Sequence, residues 1–253
     1  MLQAMLHGKL TREEEGMEDL LTSNVFGLMK YLPPEAALFP FLSLAKDPFS
    51  ENTLHDWLKD AVQVKEWYFW RWLHAPGCIP CEPDVEILIL NRDNTTTRLL
   101  IEAKYHSGKS SSSLEGESRP NDQLAREFDN LRTLCEQEQI SRYGIIYLTA
   151  DFSCPIEDLH DSMQEYKKKR NFEPHFYWLS WRKLPDILES DEVHPITQDL
   201  KHLCLNLDLI LFRRLRFADL GNITWSFIST SCSWQWGNPK GSKIDWHFGS
   251  KKI

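Results

Sequence analysis

The amino-acid sequence predicts an α/β fold, a mixed central sheet flanked by helices. Three observations carry that reading. Two apolar segments, EPDVEILIL (82–90) and TRLLIEAKY (97–105), stand either side of a short polar gap and read as an antiparallel hairpin. A third run, YGIIYLTA (143–150), has strand length and no polar alternation, as expected of a strand covered on both faces. Segments of helical period lie before and after these strands, so helices and strands alternate along the chain.

In chain order, residues 13–32 read first as a helix whose apolar stripe is Met17, Leu21, Val25, Leu28 and Leu32, stopped by Pro33 and Pro34. At 100° per residue Glu14 falls about 20°, and Glu18 about 60°, from the centre of that stripe, while Asp19 faces solvent. An acid on the apolar side is the unusual feature. Residues 53–65 read as a second helix, and WYFWRWL (67–73) as an aromatic strand. The hairpin follows, then a loop over 107–119. After Pro120 a helix puts Leu124, Phe128, Leu131 and Cys135 on one face, with Asn121 or Asp122 as its cap. The strand at 143–150, a helix at 156–169 and a strand at 175–181 come next. Residues 196–214 form a long apolar helix, and the Trp-rich segment 223–248 reads as a small β extension. The division expected is a domain over 1–190 and an extension over 191–253, helical and then Trp-rich, packed on it and available as an interface.

Bulk properties exclude several classes. With 253 residues, 42% hydrophobic and 26% charged, the chain is globular and long enough for a sizeable core. A net charge of −8 excludes a basic nucleic-acid coat, so phosphate contacts would have to come from local clusters. Candidates are YKKKR (166–170), with Lys167 and Lys168, and FRRLRF (212–217). No run approaches the roughly 18 apolar residues of a membrane span. MLQAMLHGKLTREEEG lacks the apolar core and cleavage site of a signal peptide, so a cytoplasmic protein without membrane association is expected. Cys78 and Cys81 form a CxxC with no second pair, which reads as reduced thiols rather than a zinc site. SGKSSSS lacks the glycine spacing of a P-loop and reads as a loop beside the site, with Lys109 as a candidate phosphate contact.

The hairpin poses the chemical question. Asp84 opens one strand and Glu102 and Lys104 close the other, although charges in buried strands are costly unless paired or bound to metal. A turn centred near Asp93 and Asn94 makes the numbers of facing residues sum to roughly 186–188, which sets Asp84 opposite Glu102 or Lys104. Side chains alternate, so Glu102 and Lys104 share a face and Ile101, Ala103 and Tyr105 take the other. Two neighbouring carboxylates resist joint ionisation unless a cation neutralises them. Oxygen ligands suit Mg²⁺ or Mn²⁺. A lysine beside a metal-bound water orients or activates it, or stabilises the charge that develops at phosphorus. Together these parts would perform metal-assisted hydrolysis of a phosphodiester.

Pro83–Asp84 and the Glu-Ala-Lys of Glu102, Ala103 and Lys104 match the PD-(D/E)xK motif. The chain resembles the PD-(D/E)xK, or restriction-endonuclease-like, nuclease superfamily, whose core runs αβββαβ, the order read here over 13–150. The resemblance implies that Asp84 and Glu102 bind Mg²⁺ or Mn²⁺, with the carbonyl of Ala103 as a further ligand, and that Lys104 assists the attacking water. It also implies an acid on the first core helix, Glu18 or Glu14, and a glutamine on the helix after the third strand, Gln123. Gln123, Arg126 and Asn130 share a stripe more than about 100° from that helix's apolar face, where they meet a phosphate or face water. Glu127 stands where some members have a tyrosine four residues after the glutamine, which argues against that exonuclease form.

The function implied is a Mg²⁺-dependent endonuclease acting on DNA, in bacterial restriction or anti-phage defence. The apolar segment LCLNLDLILFRRL would then pair it as a homodimer or seat it in a larger complex with a helicase or ATPase. RNA is not separable from DNA on sequence. The alternative is a catalytically idle nuclease-fold module for nucleic-acid binding or complex assembly. The intact motif triad favours the enzyme.

Overall fold

The hairpin read from its turn residues forms the centre of a five-stranded mixed sheet. The computed structural model describes residues 13–110, 118–189 and 194–211, together with the backbone of three short strands beyond them. Two compact units are present, Met1–Leu211 and Phe212–Ile253. The first holds helix α1 (Glu13–Met29), the short helices α2 (Leu38–Leu42) and α3 (His55–Leu58), and strands β1 (Ala61–Phe69), β2 (Val85–Asn91) and β3 (Thr96–Lys104). Helix α4 (Gln123–Glu138), strand β4 (Arg142–Thr149), helix α5 (Ile156–Arg170), strand β5 (Phe176–Ser180) and helices α6 (Leu184–Ile187) and α7 (Pro195–Asn206) complete it. The second unit contains an antiparallel sheet of β6 (Trp225–Ser226), β7 (Trp234–Gly237) and β8 (Lys243–Trp246), the small β extension expected of the Trp-rich segment.

Strand order in the main sheet is β1-β2-β3-β4-β5; β1, β2 and β3 are antiparallel, and β3, β4 and β5 are parallel. Alternation along the strands builds two cores. Val85, Ile87, Ile89, Leu99, Ile101 and Ala103 pack on the α1 side with Leu21, Val25 and Phe26. Leu100, Ile145 and Tyr147 face the other way, onto Leu124, Phe128 and Leu131 of α4 and Leu159, Met163 and Tyr166 of α5. Asp122 caps α4, its Oδ1 accepting from Ala125 N at 3.3 Å.

Three segments differ from the sequence reading. Residues 53–65 are not one helix: α3 ends at Leu58 and β1 begins at Ala61. Pairing with β2 overrides local propensity there. Register shifts between Ala61 and Gln63 and between Val64 and Glu66, with exposed side chains, suit an edge strand. The aromatic strand expected over 67–73 stops at Phe69, because Trp70 takes a left-handed backbone, φ 49°. The helix expected over 196–214 ends at Asn206. Asp208, at φ 51°, closes it, with Leu209 N bonded to Cys204 O at 2.9 Å and Asp208 N to Leu205 O at 3.2 Å. Leu200, Cys204 and Leu209 join the α1-side core, so α7 belongs to the first unit although the sequence reading set it in the extension. Residues 212–217 lie outside the described residues.

One buried ion group crosses the hairpin. Glu86 Oε1 accepts from Arg98 Nε at 2.7 Å and from Arg71 Nη2 at 2.6 Å, and Arg98 Nη1 reaches the half-exposed Glu138 at 3.0 Å. Glu86 and Arg98 are each 1% exposed. Removing one partner of such a pair strands the other in the interior. Glu86→Leu is therefore expected to cost about 3 kcal/mol in chemical denaturation, and adding Arg98→Met to recover most of it. A double variant no more stable than Glu86→Leu alone would show that the group does more than balance its own charge.

Candidate active site

The register decides which charges meet. Val85 pairs with Ile101 and Glu86 with Leu100, so Asp84, the residue before β2, continues toward Glu102. Two further contacts hold Asp84 in place. Its Oδ2 accepts from Ala103 N at 2.8 Å, and its Oδ1 from the Trp70 indole at 3.1 Å. The left-handed turn at Trp70 ends β1 beside Asp84, and Trp70 N also bonds the Asp84 carbonyl at 3.0 Å.

At the end of β3, Glu102 Oε1 accepts from Lys104 Nζ at 2.6 Å and from the Gln123 side-chain amide. Lys104 Nζ also donates to Glu18 Oε1 at 3.2 Å. Glu18 reaches round the end of the sheet from α1; its Oε2 accepts from Tyr105 N at 2.9 Å and from the Ser107 hydroxyl. Gln123, the first residue of α4, accepts from Ser110 N at 2.8 Å on its Oε1 and so anchors the loop after β3. Asp84, Glu102, Lys104, Glu18 and Gln123 thus form one cluster at one end of the hairpin. Ala103 contributes its N–H, and its side chain lies in the α1-side core. The Glu14 side chain lies outside the described ones.

A sixth member escaped the sequence reading. Glu127 lies one helical turn after Gln123 on the same side of α4 and is 1% exposed. Burial, then the Glu102 and Asp84 charges, push its carboxyl well above the usual range. Asp84 moves the same way through burial and Glu102, against Lys104 and the Ala103 amide. Burial alone would lower the Lys104 ammonium, but Glu102, Asp84 and Glu18 outweigh it and hold it above the ordinary lysine range. The signal for Glu127 was its four-residue spacing from Gln123. Trp70 had no signal beyond its place in an aromatic run.

The donor set is oxygen-rich; Glu102 Oε2 and Glu127 Oε2 find no donor from another residue, and a proton held by Glu127 bonds it to Glu102. A buried acidic cluster is balanced by such a shared proton or by a hard divalent cation. Among the described residues, however, no group of three or more His, Cys, Asp and Glu side chains is arranged to hold a metal. The ammonium of Lys104 lies between Glu102 and Glu18, so cation entry requires these side chains to rearrange.

The other candidates fall elsewhere. Lys109 is turned inward: its Nζ donates to Asp122 Oδ2 at 2.7 Å, Asp158 O at 2.8 Å and Ser162 Oγ at 3.0 Å. It fastens the loop to the starts of α4 and α5. Arg126 is half-buried, with no partner for its Nε. Asn130 neither meets phosphate nor faces water, because the 73–82 loop covers it: its Oδ1 accepts from Ala75 N at 2.9 Å and its Nδ2 donates to Ile79 O at 2.6 Å. Lys167 pairs with Glu173 at 2.7 Å and Lys168 is exposed, both in the last turn of α5 and outside the cluster. Cys78 and Cys81 are free thiols, with Cys78 Sγ 3.5 Å from Asp129 O.

No protein-family model matches the chain, and no solved structure matches it. It is similar to an uncharacterised protein of Pasteurella multocida (strain Pm70), 29% identical over 219 residues that cover 75% of this chain and 71% of that protein.

The raised carboxyls set a pH dependence for the cation-free protein. Unfolded Asp and Glu titrate near 4, while folded Asp84 and Glu127 keep their protons to higher pH. Between those values the folded state binds more protons, so the stabilisation is complete below the unfolded values and is lost as pH rises through the folded ones. Denaturation in EDTA is expected to show stability falling as pH rises above the unfolded carboxyl range. Glu127→Gln is expected to flatten that slope; an unchanged slope would remove Glu127 from the group.

Proposed function

We propose that this chain is a divalent-metal-dependent nuclease, an endonuclease hydrolysing phosphodiester bonds of DNA on a restriction-endonuclease-like core. One observation carries the reading. Glu102 and Lys104 of the ExK motif are hydrogen-bonded with Glu18 and Gln123, and Asp84 of the PD motif, 18 residues before Glu102 in sequence, accepts from the Ala103 N–H between them. The succession α1, β1, β2, β3, α4, β4, with the short α2 and α3 between α1 and β1, supports it, since it follows the αβββαβ order.

Asp84, Glu102 and Glu18, with the carbonyl of Ala103, are the groups that would hold Mg²⁺ or Mn²⁺. A bound divalent ion supplies charge neutralisation at the phosphoryl oxygens and a lowered pKa for its water. The protein's own groups do the rest. Trp70 and the Ala103 amide orient Asp84; Gln123 orients Glu102. Lys104 donates to Glu102 and Glu18. As a donor it would position water or the phosphate and balance the charge of the transition state.

The idle-module alternative draws on one observation as well. With Lys104 between Glu102 and Glu18 and no metal-holding group among the described residues, the cluster also works as a self-neutralised polar plug. Cleavage of plasmid and oligonucleotide DNA with Mg²⁺ or Mn²⁺ separates the two. Asp84→Asn and Lys104→Ala are each expected to lower the rate at least about 100-fold. Equal cleavage by wild type and both variants, or none by wild type, would overturn the enzyme reading.

A further inference from the structure

Beside Lys104 the structure opens a cleft of about 370 Å³ at the ends of β3 and β4, where Lys104 pairs with Thr149. Its wall carries a second cation, Arg182. The Arg182 Nε and Nη1 donate to the carbonyls of Ala150 at 2.7 Å and Asp208 at 2.5 Å. Both acceptors are backbone carbonyls, and Arg182 is 9% exposed. The guanidinium carbon also lies 3.8 Å from the ring centroid of Phe152. Phe152 is 71% exposed, far above what a packed phenylalanine shows, and it lines the cleft. His106, exposed and held at φ 62°, lines it too. Asp151 is the one carboxylate among the lining residues.

An exposed aromatic ring backed by a cation, next to an ammonium at the catalytic cluster, fits a nucleotide. The ring takes the base and the cations take the phosphate. The volume lies at the small end of the range for small-ligand pockets, enough for one nucleotide and not for a duplex. A base stacked on Phe152 must have left its partner strand, because paired bases are stacked inside the helix.

We propose that this cleft is the subsite for the nucleotide flanking the scissile phosphate, with its base on Phe152, and that the substrate is therefore single-stranded DNA or a frayed or flapped end. This proposal rests on the nuclease reading, and its test is independent of cleavage.

The full chain is titrated in EDTA with a fluorescent single-stranded DNA oligonucleotide and with the blunt duplex of the same sequence, using anisotropy. Wild type is expected to bind the single strand more tightly. Phe152→Ala is expected to weaken single-strand binding roughly 10-fold or more and leave duplex binding unchanged, and Phe152→Trp to restore it. Phe152 is exposed, so the fold is expected to survive both changes. Single-strand binding unaltered by Phe152→Ala, or tighter binding of the duplex, would overturn the subsite. Phe152-dependent binding without cleavage by wild type would sink the nuclease reading and keep the subsite. Asp84-dependent cleavage with Phe152-independent binding would do the reverse.

Discussion

Carboxyl groups buried together at one end of the β2–β3 hairpin are the constraint on which the rest of the arrangement depends. Asp84, Glu102 and Glu127 are almost entirely withdrawn from water, and Glu18 adjoins them, with one ammonium in their midst. Such a group is costly unless protons, hydrogen bonds or a cation balance it. Each neighbouring element contributes to that balance. β1 ends in a left-handed turn that brings the Trp70 indole to Asp84, α4 begins where Gln123 reaches Glu102, and α1 sends Glu18 across the sheet's end to Lys104.

The apolar remainder makes this possible. Alternation along β2 and β3 sends the odd-numbered residues into the α1-side core, and the even-numbered ones run from Arg98 through Leu100 to Glu102 and Lys104 on the α4 side. At one end of that face Glu86 neutralises Arg98; at the other Lys104 meets the acids. The two ends differ in what they offer a ligand. Both groups leave a carboxylate oxygen without a donor from another residue, Glu86 Oε2 at one end and Glu102 Oε2 and Glu127 Oε2 at the other, but the Lys104 end gathers several acids and borders an open cleft.

Much of this was legible in the sequence. The turn residues narrowed the register to two choices, Asp84 opposite Glu102 or Lys104; Asp93 accepts from Thr95 N at 3.0 Å, Asn94 takes φ 62°, and the pairing of Val85 with Ile101 selects Glu102. The Asp122 cap and the stripe from Leu124 to Cys135 located α4, and with it Gln123. Tertiary contacts hid the rest. β1 is an edge strand whose pattern is broken by bulges, so its period does not show in the sequence. Asn130 is polar yet buried, because a loop more than forty residues earlier covers it. Lys109 sits in a Ser-rich loop that suggests solvent, yet three acceptors from α5 and the α4 cap enclose it. Glu127 and Trp70 acquire their roles only through neighbours distant in the chain.

The acidic cluster is proposed as a divalent-cation site rather than a polar plug closed by Lys104. Titration of the protein with Mn²⁺, followed by the loss of the free-ion electron paramagnetic resonance signal, tests it without any substrate. The expected result is saturable binding by wild type that Asp84→Asn and Glu102→Gln each abolish. Binding of the same strength in those variants, or no binding by wild type at millimolar Mn²⁺, would contradict the claim.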